Sequence, residues 1–581
     1  MYRDDGRVKG YLRAEGQRIV NGDGQELLLR GVGLGNWLLP EGYMWKFPPT
    51  NADRPRRIEK LVTDLIGESA AKEFWVTFRE RFITEDDVRQ IAAEGLNSIR
   101  LPINARWLLE EGDPVRFNPD TLALIDRFIG WCKKYSLYVI LDLHGAPGGQ
   151  TGANIDDSEH DQPELFTNED YWRRTVELWR MLAERYKDEW IVGGYDLLNE
   201  PLPEWFNMHN DKLMPLYKEI TAAIREVDDK HMIIIEGAHW ATDWSMFTAE
   251  EMFDDNLLLQ FHKYWSSPDQ EGIAPYLEKR EMLNMPIYMG EGGENSLGWY
   301  AGAFGLYEDH HISWNFWTWK KLDTANSPCS IRRPHHWDLI LNYVEGSGEK
   351  PDQAASAAIL NEYLDNILIG NCDYLPSVLR AVQRKLPLRM PAEHYGHRGQ
   401  DISWGVAADS ERITELCSCQ RTEQAGLGAS TSKEQPNVFR PGDGIRVGFL
   451  MAQEGTPNYH LKPEEEWNEE HRLCVTLTAG DWVAYPFLCE SPAAYTLQIK
   501  LRALTESADE GTHEGIDEIA ELVVHTDRDR HQTINVSSQD WSIISAGQQT
   551  IPASGEFELK IEVISGTIVI DWLEWLPVND F

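Results

Sequence analysis

Cysteine is scarce in this chain: seven among 581 residues, an odd number scattered at Cys132, Cys329, Cys372, Cys417, Cys419, Cys474 and Cys489. Such a set builds no disulfide framework and fits a reducing compartment. No run approaches the roughly 20 apolar residues that span a bilayer. The opening MYRDDGRVKGYLRAEG lacks the apolar segment of a signal peptide, so the sequence predicts a cytoplasmic protein without a membrane partner. Basic residues are also in deficit, 55 Lys and Arg against 95 Asp and Glu, for a net charge of -40. A field of that sign repels nucleic acid and suits a neutral ligand, although plain solubility or a salt adaptation explains it as well. The glycine-rich HGAPGGQTG has no Lys and is no phosphate loop. The pairs His310/His311 and His335/His336 lack metal-ligand spacing. Neither a metal nor a cofactor is expected.

What the chain does have is length for more than one core and 23 Trp, whose faces suit either large cores or the apolar faces of pyranose rings. From about residue 27 to 366 apolar β-rich runs alternate with amphipathic helical stretches, the pattern of βα units and a parallel sheet. Strands are predicted over Leu27 to Leu34, Leu96 to Leu101, Tyr138 to His144, Gly194 to Asn199, Met232 to Glu236, Leu257 to His262, Ile287 to Gly290 and Ile312 to Trp317. Helices are predicted over Glu85 to Glu94, Asp170 to Tyr186, Lys212 to Val227 and Ala354 to Ile367. The fold class is therefore α/β, a (β/α)8 TIM barrel, and the Gly/Pro-rich segments 35–60 and 145–168, directly after strands one and three, read as active-site loops. Beyond about residue 400 short strands and turns predict a C-terminal β-sandwich. The expected domains are a barrel over 1–370, a connecting segment over 371–400 and a sandwich over 401–581, with 415–437 as a polar loop.

Two segments carry the chemistry. YDLLNEP (195–201) and IYMGEGGEN (287–295) each read as a buried strand ending on a glutamate. Side chains at the C-terminal strand ends of a barrel converge on one mouth. Retaining glycoside hydrolysis needs two carboxyl groups there, one to protonate the leaving oxygen and one to attack the anomeric carbon. Glu200 and Glu291 are the candidates.

Eight motifs in order, RGVGLGNWL, NSIRLPIN, DLHGAPGGQTG, LLNEP, IIEGAHW, FHKYW, MGEGG and WNFWTWK, resemble glycoside hydrolase family 5 over roughly residues 25–366. The resemblance implies Glu200 as acid/base, Glu291 as nucleophile, Asn199 on the sugar 2-hydroxyl and Arg100 beside the nucleophile, keeping it ionised. It further implies His144 and His262 as orienting histidines, Tyr264 as a donor to the nucleophile, and Trp317, rather than Trp319, as the stacking floor. Glu236, His239 and Trp240 are expected along the cleft, Glu236 alternatively as a structural ion-pair partner. Asn36, Trp37, Asp157 and Glu294 are candidate sugar contacts.

The C-terminal part resembles carbohydrate-binding modules of the family 6 and family 35 type, with Trp482, Tyr485, Trp541 and Trp572 as candidate platforms. A domain that packs on the barrel or dimerises is the rival reading. The sequence as a whole points to a retaining β-glycosidase acting on an oligosaccharide or glycoside, with exo action on terminal β-glucosyl or β-mannosyl residues. An endo-acting glucanase or mannanase with an open cleft and a non-catalytic sugar-binding protein are the alternatives.

Overall fold

The runs YVILDLHG and MIIIE are buried along their whole length, as strands must be when side chains fill one face and helices cover the other. In this computed structural model, which describes residues 7–49, 51–110, 112–407, 439–450, 457, 459, 472–504, 520–527 and 530–578, they belong to an eight-stranded barrel. Its strands are β1 (Arg30–Gly33), β2 (Ser98–Asn104), β3 (Tyr138–Gly145), β4 (Val192–Asp196), β5 (Met232–Glu236), β6 (Leu257–His262), β7 (Ile287–Gly293) and β8 (Ser313–Trp317). They pair in parallel in chain order and β8 closes on β1. Register pairs such as Ile99 with Val139 and Ile234 with Leu258 align apolar residues, while the polar residues gather toward the C-terminal strand ends. The N-terminal hairpin Arg13–Glu15/Arg18–Val20 and the chain beside it close the opposite end, where Leu12, Ile19 and Leu29 pack on Tyr138, Ile234 and Tyr288.

The helices start where the sequence supplies caps. Asn118 opens α4 (Pro119–Lys134), Asn168 opens α5 (Glu169–Tyr186) and Ser296 opens α8 (Leu297–Asp309), each accepting from backbone N–H groups of the first turn. Before them come α1 (Pro55–Ile66), α2 (Glu68–Phe82) and α3 (Glu85–Ala93), the last begun by a capping box of Thr84 and Asp87. Between α5 and α8 lie α6 (Leu213–Arg225) and α7 (Gln270–Leu283), and α9 (Gln353–Asn366) follows the barrel.

The segment 371–400 is structured and serves both halves. Residues 373–374 pair with Cys329–Ile331 beside the barrel, α10 (Pro376–Val382) packs on α8, and β9 (Arg389–Pro391) joins a C-terminal sheet. That sheet contains β11 (Arg446–Phe449), β12 (Leu473–Thr478), β14 (Ala493–Leu504), β17 (Ser542–Ile551) and, at its centre, β19 (Thr567–Pro577). A second sheet holds β10 (Trp404–Gly405), β13 (Trp482–Cys489), β15 (Ala520–Asp527), β16 (Arg530–Val536) and β18 (Gly555–Ser565). Both are antiparallel, and Phe487 of one meets Trp575 of the other at 5.2 Å between ring centroids. The alternating burial of LQIKLRA, with Leu497, Ile499, Leu501 and Ala503 inside, is that of a half-buried sheet. The expected polar loop 415–437 lies outside the described residues.

The four aromatics expected as sugar platforms in this region are already in use. Tyr485 is buried and donates to the carbonyl of Ala392 at 2.8 Å. Trp572 is buried beneath Arg389, Trp482 carries Lys560 over its ring at 4.3 Å, and Trp541 carries Arg502 at 5.0 Å.

Candidate active site

Arg100, fully buried on β2, is the hub of the mouth. Its Nε donates to Asp196 at 2.8 Å, and its Nη2 donates to Asn199 at 2.8 Å and Glu236 at 3.1 Å. Its Nη1 donates to Glu291 and lies 3.2 Å from Asp142. Four buried carboxyl groups around one guanidinium leave uncompensated negative charge, which low-dielectric surroundings penalise. The protein answers with protons and a second cation. Burial pushes Asp142 up to about 8 and Asp196 well above the usual carboxylate range, against the pull of Arg100. Burial alone would lower His262, but Glu236 and Glu291 together with its hydrogen bond to Glu200 raise it well above an ordinary histidine, so it carries charge. Glu236, buried but facing His262⁺ and Arg100, is held low.

The two predicted catalytic carboxylates meet across His262. Its Nδ1 donates to Glu200 Oε1 at 2.6 Å and lies 3.7 Å from Glu291 Oε2. An oxygen of each glutamate lies within 4.8 Å of the other, inside the roughly 6.5 Å at which inverting pairs begin. Glu291 also accepts from the Tyr264 hydroxyl at 2.9 Å. Arg100 pulls the Glu291 value down, but the net shift is upward. Burial raises Glu291 above the ordinary glutamate value, the nearby Glu200 adds to this, and His262⁺ and Arg100 only partly offset them. Glu200 stands at φ 43° just past β4, its backbone N–H held by Glu236 Oε2 at 2.7 Å. Glu236 thus positions the acid candidate as well as pairing with Arg100. His144 is pressed down to about 4 by burial and is neutral. Its Nδ1 donates to Asp142 at 2.7 Å, and Asn199 approaches its Nε2 at 3.3 Å.

Among the described residues two sets of groups, Asp142/His144/Glu291 and Glu200/His262/Glu291, are close enough to hold a metal ion. Both face positive charge already in place, Arg100 on the first and His262⁺ on the second, and a protonated imidazole is no ligand. The arrangement suits proton transfer and nucleophilic attack.

Trp317 stacks on His144 at 5.4 Å and 2° and donates to the Tyr43 hydroxyl at 2.9 Å. Trp319 turns away, its indole donating to Asp87 at 3.0 Å. The loop after β1 brings in Glu41, which no sequence motif singled out and which feels the charges of Glu291, Glu294 and Glu200. Glu41 is 2% exposed, its Oε1 has no partner among the described residues, and burial together with Glu291, Glu294 and Glu200 raises it well above the usual range. Glu294 pairs with Lys321, and its carbonyl accepts from Trp265 at 3.0 Å.

Three expected sugar contacts lie elsewhere. Asn36 is buried and accepts from Trp45 at 2.6 Å. Trp37 is fully buried between α2 and α4, donating to the Arg79 carbonyl at 2.8 Å and packing on Phe128. Asp157 is committed to Arg56, Asn104 and Arg106. Asp157 belongs to a clamp between the loops after β1 and β3, where Arg54 donates to Ser158 Oγ at 2.6 Å and pairs with Asp161 at 2.7 Å. His239 and Trp240 follow β5, where Trp240 packs edge-on to Trp205.

The family model "Cellulase (glycosyl hydrolase family 5)" matches residues 62–323, the stretch that carries β2 to β8. A "Beta-xylosidase" of Phanerodontia chrysosporium is 33% identical over 346 residues, 54% of this chain and 71% of that protein. A "Probable glucan 1,3-beta-glucosidase A" of Aspergillus fumigatus is 29% identical over 45% of this chain and 64% of its own length. An "Endoglucanase C" of Acetivibrio thermocellus is 27% identical over 42% of this chain and 86% of its own.

Proposed function

The chain belongs to glycosyl hydrolase family 5, a family of retaining glycosidases, and on that premise we propose that it removes terminal β-glucosyl or β-mannosyl residues from oligosaccharides, with Glu291 as nucleophile and Glu200 as acid and base. Glu200 gives its proton to the glycosidic oxygen while Glu291 attacks the anomeric carbon, breaking the C–O bond and forming a glycosyl-enzyme ester. Glu200 then takes a proton from the incoming water, whose oxygen displaces Glu291 with overall retention. Arg100 and Tyr264 hold the Glu291 carboxylate in line, and on this reading Asn199 serves the 2-hydroxyl. His262 touches both carboxylates, so a change of charge on either is felt by the other.

The observation that supports exo action is a tie between two long loops at the mouth. The clamp from Arg54 to Ser158 and Asp161 ties the loop after β1 to the loop after β3. In the same loop, Tyr43 accepts from the Trp317 indole at 2.9 Å, and the buried Glu41 has a carboxyl oxygen without a partner among the described residues. On this reading the joined loops close one end of the mouth, which would stop a polymer from running through. The names of the relatives span a xylosidase, a glucosidase and an endoglucanase, so the deciding measurement is the product pattern from a β-linked tetrasaccharide, alongside aryl β-glucoside, β-mannoside and β-xyloside. Monosaccharide and trisaccharide are expected as the first products, with β configuration at the released sugar. Disaccharide as the first product would overturn exo action.

A further inference from the structure

A cavity of about 290 Å³ lies where α8 and β8 of the barrel meet α10 and β13 of the C-terminal part. It is separate from the mouth. α8 runs from the mouth end of β7 back to the start of β8, and the cavity takes Gly305, Glu308 and Asp309 from its last turns. Trp314, Val382, Pro486, Phe487 and Leu488 supply an apolar wall, and the exposed His311 and Glu556 mark its opening.

Into this wall the chain sets Arg384, at three costs. The side chain is buried, and a charge taken out of water is unfavourable unless it is paired. Its backbone stands at φ 48°, a left-handed strain that persists only where the surroundings fix it, here through the Arg384 carbonyl, which accepts from the Leu488 N–H at 2.7 Å. α8 carries Gly305 inside the helix, which weakens it, and a Cβ there would come 2.0 Å from Arg384 Cζ. The return within the chain is small. Nε donates to the carbonyl of Ala301 at 2.7 Å, Nη2 donates to that of His394 at 3.2 Å, and Nη1 has no partner among the described residues. Burial pushes the guanidinium down to about 10, which leaves it charged at neutral pH.

The carboxylates beside it are already matched. Glu308 accepts from Arg30 at 2.6 Å and from the Trp314 indole at 2.8 Å. Asp309 faces Arg398 at 3.7 Å and accepts from the His397 N–H at 2.7 Å. The geometry points to this cavity as a binding site for a small organic monocarboxylate, its carboxylate on Arg384 Nη1 and its apolar body against Val382, Phe487 and Leu488. A neutral occupant leaves the cation unmatched. A dianion such as phosphate meets Glu308, Asp309 and the field of a chain with net charge -40. An occupant here touches both barrel and C-terminal part, so binding stabilises their junction by mass action.

The test uses the full chain with benzoate as the probe, followed by calorimetry and thermal melts. One benzoate per chain and a raised Tm are expected, and benzamide, of the same shape but uncharged, is expected to bind at least about tenfold more weakly. Arg384→Met is expected to weaken benzoate by the same factor. Val382→Phe keeps Arg384 but fills the space for the ring, so it is expected to abolish binding, and it decides the matter if Arg384→Met does not fold. Benzoate that gives neither heat nor a Tm shift, or that binds Val382→Phe as tightly as the natural chain, would overturn the site. Benzamide or inorganic phosphate binding as tightly as benzoate would overturn the monocarboxylate.

Discussion

Glu291 has to be ionised to attack, yet burial holds its value above that of an ordinary glutamate. The acidic limb of kcat/KM is therefore expected above the roughly 4.3 of a free glutamate, because activity falls as pH drops through the raised value. The limb belongs to the linked cluster of Glu291, Glu200 and His262 rather than to one group. Linkage runs the other way for stability. A carboxyl whose folded value is raised favours the fold when protonated, and that contribution is lost as pH rises through the folded value. A pH profile on an aryl glycoside checks the kinetic statement. Tyr264→Phe, which removes the hydroxyl donor to Glu291, is expected to move the limb higher still, and a limb near or below 4 would contradict the account.

At this scale the sequence was informative where a residue's role follows from its place at a strand end. Glu200, Glu291, Arg100, His144, His262 and Tyr264 all converge as their motifs imply. Asp142 lies inside DLHGAPGGQTG and Asp196 inside YDLLNEP, but their part in compensating Arg100 is a balance of buried charge that no spacing reveals. Asn36 and Trp37 were misplaced because they follow β1 in an irregular loop, where no periodicity tells inside from outside.

Among the elements, the loop after β1 is the one on which the closed end depends. Gly42 is its tight point: its N–H bonds Asp53 at 2.9 Å, and a Cβ there would lie 2.1 Å from the Ala52 carbonyl oxygen. Backbone cannot give way as a flexible side chain can, so Gly42→Ala is expected to cost about 1–3 kcal/mol and to raise KM by displacing Glu41 and Tyr43. Denaturant unfolding and steady-state kinetics measure the two effects, and a variant with wild-type stability and KM would refute the assignment of that loop. The strands themselves were legible because apolar runs flanked by turn residues leave little choice. Met232–Glu236 and Leu257–His262 match the expected spans, and the other strands differ by one to a few residues at their ends, where pairing rather than composition sets the limit.

For the whole molecule, the barrel and the C-terminal sheets share structure that a cut at residue 400 would sever. β9 loses its partner β19, and the barrel loops lose Tyr459, whose carbonyl accepts from Asn295 at 2.5 Å and whose hydroxyl lies 3.3 Å from Ser267. Truncation is therefore expected to lower soluble yield and Tm first, and to raise KM on aryl glycosides through the loosened segment next to Glu294. Thermal melts and kinetics on the truncated protein decide this. A truncated barrel as stable as the full chain, active on small glycosides but no longer retained on an insoluble glucan, would instead establish the C-terminal part as a binding module.

The place of β19 in its sheet also governs the order in which the chain is built. It forms the centre of that sheet, against β9, β12 and β14, yet it comes after all of them in the sequence. On the ribosome the barrel can close once β8 has emerged. The strands that flank β19 must wait with open edges until synthesis reaches residue 577, the interval in which this molecule is most exposed to pairing with a neighbour.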